Sequence, residues 1–161
     1  MAVIVVVMGV SGAGKTTIGE ALARRLGWRF IDADDYHPPE NVARMAAGTP
    51  LEDGDRWPWL DRLNLILRNE DDAVIACSAL KEAYRRRLTD GLSNFRIVYL
   101  HGTPELIRSR MKARPHRYMP ASLLDSQFAA LEPPAHAVAI DVAAEPASCV
   151  AQILSNLRFA D

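Results

Sequence analysis

The sequence predicts an α/β fold in three layers, in which helices flank both faces of a five-stranded parallel sheet. Two observations carry this prediction. Short β-branched runs alternate with segments of helical periodicity, which is typical of parallel strands joined by crossover helices. Runs such as residues 3–7 and 74–76 are apolar at successive positions, as strands buried on both faces must be. The length of 161 residues suits one ordinary domain, so we expect a single domain over residues 1–161.

Five strands are expected, and those that are apolar throughout should lie at the centre of the sheet. In chain order they are Val3–Met8, Arg29–Asp32, Ala73–Cys77, Phe95–Leu100 and Ala137–Val142.

Seven helices are expected, and several of them carry their own boundary signals. Glycines stand where a left-handed C-terminal cap belongs, and prolines stand near helix starts. These residues are Gly27, Gly48 and Gly91, and Pro39, Pro104 and Pro146. The predicted helices are Lys15–Leu26, Pro39–Ala47, Trp57–Arg68, Leu80–Thr89, Pro104–Ala113, Ala121–Leu131 and Pro146–Leu157.

Composition and charge exclude several classes of function. A net charge of −1 and a pI near 6.4 provide no general field for holding nucleic acid or an anionic membrane. Cys77 and Cys149 stand far apart, so neither a disulfide framework nor a metal site is indicated. The apolar run at residues 2–8 is too short for a signal peptide or a membrane span, so we expect a cytoplasmic protein.

The segment after the first strand satisfies the pattern G-x-x-x-x-G-K-[ST] and precedes a predicted helix, which is the context of a phosphate-binding P-loop. Glycines let successive backbone N–H groups converge on phosphate oxygens, while the helix directs its positive end at them. Lys15 would place a positive charge on the β- and γ-phosphates of ATP, and the Thr16 hydroxyl would bind the bridging Mg²⁺. The expected nucleotide-binding residues are Gly9, Val10, Ser11, Gly12, Ala13, Gly14, Lys15 and Thr16.

Carboxylates follow the second predicted strand, at the sheet edge where open α/β folds bind their ligands. One carboxylate there can receive the proton of an acceptor hydroxyl during phosphoryl transfer, and we assign Asp34 to this role. Asp32 would act on Mg²⁺ or its waters, whereas Asp35 should face solvent. A P-loop kinase fold is therefore predicted. The plainer alternative is that these acids only open a turn and cap a helix.

Four segments together resemble the gluconokinase family: residues 8–16, 32–38, 50–60 and 77–81. The resemblance runs nearly end to end, and the last three segments are much more specific than the P-loop. It implies ATP-dependent phosphorylation of D-gluconate at its 6-hydroxyl. It also implies an adenylate-kinase-like sheet order, a closing lid and a homodimer.

A polyhydroxy carboxylate needs a cation for its acid group and hydrogen-bond partners for its hydroxyls. Arg56 precedes Trp57-Pro58-Trp59, a setting that could fix its guanidinium, and Lys81 follows the third strand. The substrate-binding candidates are Asp34, Tyr36, His37, Arg56, Lys81 and Arg85. Each has a plainer alternative, because exposed cations are usually solvated and Arg85 belongs to the basic run Arg85-Arg86-Arg87.

The cation-rich segment around residues 114–120 is interpreted as a lid that excludes water from the γ-phosphate. By resemblance to adenylate-kinase-like enzymes, Arg110 should stack on the adenine and Arg114 should reach the transferring phosphate. The sequence has His116-Arg117-Tyr118 where gluconokinases usually have Gly-His-Phe, which leaves the hinge position and any role of His116 open. An exposed basic loop without catalytic function is the alternative.

Other functions remain compatible with the residues. A kinase of the same architecture could act on shikimate, a nucleotide or adenylylsulfate. The chain could also be an ATP-binding regulatory module without transfer activity, although Lys15, Asp32 and Asp34 argue against this.

Overall fold

The computed structural model describes residues 2–113 and 121–157, and its core is a parallel sheet of five strands. The strands are β1 (Ile4–Met8), β2 (Arg29–Asp32), β3 (Ala73–Ala76), β4 (Phe95–His101) and β5 (Val138–Asp141). Their order in the sheet is β2-β3-β1-β4-β5, and all neighbouring pairs are parallel. The apolar strands β1 and β3 are buried along their whole length, which confirms that they are central.

Helices cover the sheet, and most lie where the sequence predicts them. They are α1 (Lys15–Leu26), α2 (Pro39–Ala46), α3 (Asp53–Arg68), α4 (Glu82–Thr89), α5 (Pro104–Ala113), α6 (Leu124–Ala130) and α7 (Pro146–Asn156). Two short 3₁₀ turns, Ala33–Tyr36 and Ala121–Leu123, precede α2 and α6. The predicted C-terminal cap of α1 is confirmed, because Gly27 has a φ of 73° in the left-handed region.

Helix α3 begins at Asp53, four residues before the predicted start at Trp57. A reciprocal capping box sets this start. The Glu52 side chain accepts the Asp55 backbone N–H, and the Asp55 side chain accepts the Glu52 N–H at 2.8 Å. The additional turn brings Asp53 and Arg56 onto one helix with a common orientation.

The predicted helix at Leu80 begins instead at Glu82, because the chain makes a sharp turn after β3. Ala79 has a φ of 44°, in the left-handed region that non-glycine residues seldom adopt. Lys81 is extended and precedes the first residue of α4. This turn presents Ser78 and Lys81 at the carboxyl edge of the sheet.

Both cysteines, Cys77 and Cys149, are buried and free. None of the helices in residues 2–113 and 121–157 is long and apolar enough to cross a bilayer.

Candidate active site at the carboxyl edge of the sheet

The P-loop connects β1 to α1 and has the backbone that phosphate binding requires. Gly14 has a φ of 95° and caps the N-terminus of α1. Gly12 has a φ of 84° and packs so closely on α5 that an added Cβ would lie 2.6 Å from Met111 Cγ. Side chains are therefore excluded at both positions, and the loop is held against α5.

Lys15 is the first residue of α1, and its side chain returns over the loop. Its Nζ donates a hydrogen bond to the Val10 carbonyl at 3.0 Å. Burial lowers the pKa of Lys15, while the neighbouring carboxylates of Asp34 and Asp32 act in the opposite direction. The ammonium is thus confined between the loop and the carboxylates that follow β2.

Thr16 and Asp32 lie together, as the metal-site prediction requires. The Thr16 Oγ1 donates to Asp32 Oδ2 at 3.4 Å, and the other carboxylate oxygen accepts the Asp34 N–H at 3.0 Å. Asp32 therefore also caps the 3₁₀ turn that carries Asp34. The described residues contain no group of three or more His, Cys, Asp or Glu side chains that could hold a metal alone.

A cavity of about 320 Å³ opens beside this loop. Its walls come from the P-loop, the turn after β2, the segment before α3, the turn after β3 and helix α6. Five predicted site residues that line it are Ser11, Lys15, Asp34, Arg56 and Lys81. The cavity is within the size range of small-molecule sites.

His37 also lines the cavity, but its side chain is only 4% exposed. Its ring stacks on Trp59, with centroids 4.0 Å apart and planes 15° from parallel. Burial, reinforced by the charge of Arg56, lowers the pKa of His37 to about 4. The imidazole is therefore neutral at physiological pH.

One wall of the cavity carries Arg56 and Lys81, two of the three predicted acceptor-binding cations, in a hydrogen-bonded network. Arg56 Nη1 donates to the Leu51 carbonyl at 2.5 Å and to the Tyr84 hydroxyl at 3.3 Å. Asp53 Oδ1 accepts from the Tyr84 hydroxyl at 2.5 Å and from Lys81 Nζ at 3.3 Å. The Tyr84 hydrogen bond lowers the pKa of Asp53, and the Asp53 hydrogen bond raises that of Lys81. These hydrogen bonds thus orient the side chains of Arg56 and Lys81 along the cavity wall.

Sequence reasoning missed Asp53 and Tyr84, although signals for both were present. Tyr84 follows Lys81 by three residues, the spacing of side chains on one helix face. Asp53 lies in the acidic segment at residues 50–60, which resembles the gluconokinase family. Their involvement depends on the pairing of α3 with α4, which no local pattern specifies.

Tyr36 was predicted to bind substrate, but the structure places it elsewhere. Its ring lies 5.1 Å from the Arg62 guanidinium carbon, and its carbonyl accepts from Arg62 at 3.5 Å. Among the described residues it is not part of the cavity wall. The 3₁₀ turn explains this placement, because it directs Asp34 and Tyr36 to different sides, and substrate binding by Tyr36 stays a prediction.

Arg85 was also predicted to bind substrate, and in the structure its guanidinium is buried and engaged by the backbone. It donates to the carbonyls of Ala79 at 2.8 Å, Leu80 at 3.2 Å and Glu132 at 2.9 Å. With a residue exposure of 5%, it stabilises the left-handed turn at Ala79 and does not line the described cavity. Arg85 therefore supports the segment that presents Lys81.

Helix α6 closes the cavity through a contact that the sequence did not reveal. The Ser11 backbone N–H donates to Gln127 Oε1 at 2.7 Å. Both residues line the cavity, so α6 is tied directly to the P-loop.

The predicted lid at residues 114–120 lies outside the described residues, which stop just before it at Ala113. Arg110 lies on α5, half-buried, and its charge acts to lower the pKa of Cys149 on α7, against the larger effect of burial. Arg114, His116, Arg117 and Tyr118 lie outside the described residues. The predictions for them remain predictions.

A phosphate-binding loop after the first strand, a carboxylate after the second and a cation-lined cavity on the same edge define a P-loop kinase of small molecules. The family model described as shikimate kinase matches residues 11–154. That match covers most of the chain and confirms the fold class.

Similarity to individual proteins narrows the family. A probable gluconokinase of Xenopus tropicalis is 45% identical, with 93% of this chain and 90% of that protein covered. The thermosensitive gluconokinase of Escherichia coli K12 is also 45% identical, over 80% of this chain and 71% of that protein. The crystal structure of a gluconokinase from Sinorhizobium meliloti 1021 has a TM-score of 0.86 at 43% identity, covering 94% and 89% of the two chains. The chain belongs to the gluconokinase family.

Proposed function

We propose that this protein transfers the γ-phosphate of ATP to the 6-hydroxyl of D-gluconate. The observation that carries the proposal is that Lys15, Asp34, Arg56 and Lys81 line the same cavity. One end of the cavity suits a phosphate and a reacting hydroxyl, and the other suits a carboxylate. The relatives named gluconokinase, at 45% identity, support this acceptor.

The P-loop fits the nucleotide by its backbone conformation and by its charge. The left-handed glycines leave its N–H groups accessible, and Lys15 is held where it would contact the β- and γ-phosphates. Thr16 and Asp32 would hold a magnesium ion, which would neutralise charge shared between these phosphates. Since the described protein groups do not form a complete metal cage, phosphates and waters would complete the coordination.

Asp34 would act as the general base at the acceptor hydroxyl. As the hydroxyl oxygen forms its bond to the γ-phosphorus, its proton passes to the Asp34 carboxylate. The bond between the γ-phosphorus and the bridging oxygen breaks, and its electron pair leaves with ADP. The neighbouring Lys15 ammonium would stabilise negative charge on the phosphates during this step.

Arg56 and Lys81 would bind the gluconate carboxylate. Arg56 can offer a planar pair of donors, whereas Lys81 offers a point charge that Asp53 already orients. The neutral His37 adds no charge to the cavity. A linear hexitol without a carboxylate should therefore bind poorly.

A panel of acceptors in a coupled ADP-release assay tests this proposal. We expect rapid ADP formation with gluconate and ATP, and little with sorbitol, shikimate, adenosine monophosphate or adenylylsulfate. Faster turnover with shikimate would favour the alternative suggested by the family model. If no acceptor stimulated ADP release while ATP still bound, a regulatory module would be the better interpretation.

Four finer features are also proposed. Arg110 would stack on the adenine, and Arg114 in the lid at residues 114–120 would reach the transferring phosphate, as the family resemblance implies. Arg114→Ala should then lower turnover strongly with a modest change in ATP affinity.

The same resemblance supports a homodimer, which sedimentation can measure, and a cytoplasmic location is proposed from the sequence.

A further inference from the structure

Trp59 holds both ends of the turn that carries Asp34. Its indole Nε1–H donates to the Ala33 carbonyl at 2.8 Å, directly before Asp34. Its ring face stacks on His37, directly after the turn, with centroids 4.0 Å apart. Because Trp59 is only 2% exposed and belongs to α3, it is a rigid reference for the turn. The position of His37 relative to Asp34 is therefore fixed by packing.

The hydrogen bonds of Asn41 determine which nitrogen of His37 carries the proton. Asn41 Nδ2 lies 2.9 Å from the Asp55 carbonyl, which can only accept, so this atom is the amide nitrogen. The same nitrogen lies 3.3 Å from His37 Nδ1. An amide nitrogen donates and does not accept, so Nδ1 is the unprotonated acceptor. In the neutral ring the proton is then on Nε2.

His37 Nε2 faces the carboxylate proposed as the general base. It lies 3.7 Å from Asp34 Oδ1, slightly beyond hydrogen-bond length. The Asp34 side chain is 34% exposed and has room to rotate, whereas His37 is 4% exposed and stacked. Hydrogen bonds in catalytic sites often shorten when substrates bind. The small closing movement would thus come from Asp34.

A neutral donor suits this position better than a cation would. A protonated His37 would form an ion pair with Asp34 and make the carboxylate a weaker base. Burial and the charge of Arg56 lower the pKa of His37 to about 4, which keeps the ring neutral. A neutral N–H can orient one carboxylate oxygen while leaving the other available to accept a proton.

We propose that His37 is a positioning residue whose Nε2–H holds one oxygen of Asp34, so that the other oxygen faces the acceptor hydroxyl. Asn41 and Trp59 support it by fixing the tautomer and the ring plane. The inference rests on the proposed function, in which Asp34 is the general base. It differs from the sequence-based expectation that His37 binds the substrate directly.

A matched pair of substitutions tests the inference. In His37→Gln the amide nitrogen occupies nearly the place of Nε2, whereas in His37→Asn it is nearer to that of Nδ1. Both remove the ring stack on Trp59. We expect His37→Asn to lower kcat by about 10- to 10²-fold, the range for a misplaced catalytic group, and His37→Gln to retain most of it. The KM values for gluconate and ATP should change little in both.

A second measurement separates positioning from a purely structural role. In an Asp34→Asn background, His37→Asn should lower kcat little further, because its effect acts through the Asp34 carboxylate. An equal loss in both backgrounds, or equal losses from Gln and Asn, would overturn the inference. So would a raised gluconate KM with unchanged kcat, which would indicate direct binding.

The same variants keep the inference distinct from the proposed function. If Asp34→Asn alone leaves kcat unchanged, Asp34 is not the base and the proposed mechanism fails. If Asp34→Asn lowers kcat by the roughly 10²- to 10⁴-fold expected for a lost general base, but the Gln and Asn variants do not differ, only the inference fails. Thermal unfolding of each variant verifies that it is folded.

Discussion

The P-loop and the acceptor cavity are neighbours at one sheet edge, yet they are built in different ways. The P-loop is a run of eight consecutive residues at the junction of β1 and α1. Its backbone N–H groups provide most of the hydrogen-bond donors for phosphate. The side chains that line the acceptor cavity come from distant parts of the chain, among them Asp34, Arg56, Lys81 and Gln127. We therefore expect the P-loop to be sensitive to changes in its backbone and to the loss of charge. In the acceptor cavity, by contrast, a substitution should alter acceptor binding separately from ATP binding.

The largest loss of turnover is expected from substitution of Lys15, because Lys15 acts in the phosphoryl transfer that involves both ATP and the acceptor. Lys15→Ala should lower turnover by at least about 10²- to 10³-fold, the range for losing one preorganised electrostatic group. The protein should remain folded, since the side chain contacts the loop and not the core. Steady-state ADP release measures the loss. Arg24→Ala, which removes an exposed cation from the same helix, is the control and should be silent.

Acid should destabilise the folded protein through His37, because this residue is buried in neutral form. Its pKa is lowered to about 4, below the ordinary value of 6.5. The unfolded chain therefore gains a proton as the pH falls below 6.5, while the folded protein does not until about pH 4. Stability present above pH 6.5 is thus lost progressively towards pH 4.

For this single group the loss at pH 4.5 should be about 2 to 3 kcal/mol. Urea unfolding of the native protein and of His37→Gln at pH 7 and pH 4.5 measures the difference, since the variant lacks the titrating ring. Identical pH dependence in the two proteins would show that His37 does not titrate as proposed.

A smaller and more selective effect is expected at Arg56, whose contacts all lie on the acceptor wall. Arg56→Ala should raise the KM for gluconate about 10-fold or more, as for loss of a charged hydrogen bond, with the KM for ATP nearly unchanged. Arg62→Ala is the matched control, because Arg62 is on the same helix and contacts Tyr36 outside the cavity. Equal changes in both KM values for Arg56→Ala would contradict the separation of the two regions.

A comparison of Arg85 with Lys81 shows where local reasoning stops. Arg85 and Lys81 have similar sequence surroundings, and both were expected to reach the substrate. The left-handed turn at Ala79 leaves Lys81 at the cavity, while the Arg85 guanidinium is buried against three carbonyls. The position of a cationic side chain depends on which hydrogen-bond acceptors near it lack a partner, and these acceptors come from distant parts of the chain.

By itself the sequence determined the strands, most helix limits, the P-loop and the order of the acidic residues after β2. These features follow from short-range causes: apolar periodicity, glycines at left-handed positions and residue types with fixed donor geometry. Only the tertiary structure decided that Asp53 and Tyr84 orient Lys81, that Trp59 and Asn41 fix His37, and that Gln127 reaches the P-loop. Such contacts depend on how α3, α4 and α6 pack around the sheet, and packing is a property of the whole chain.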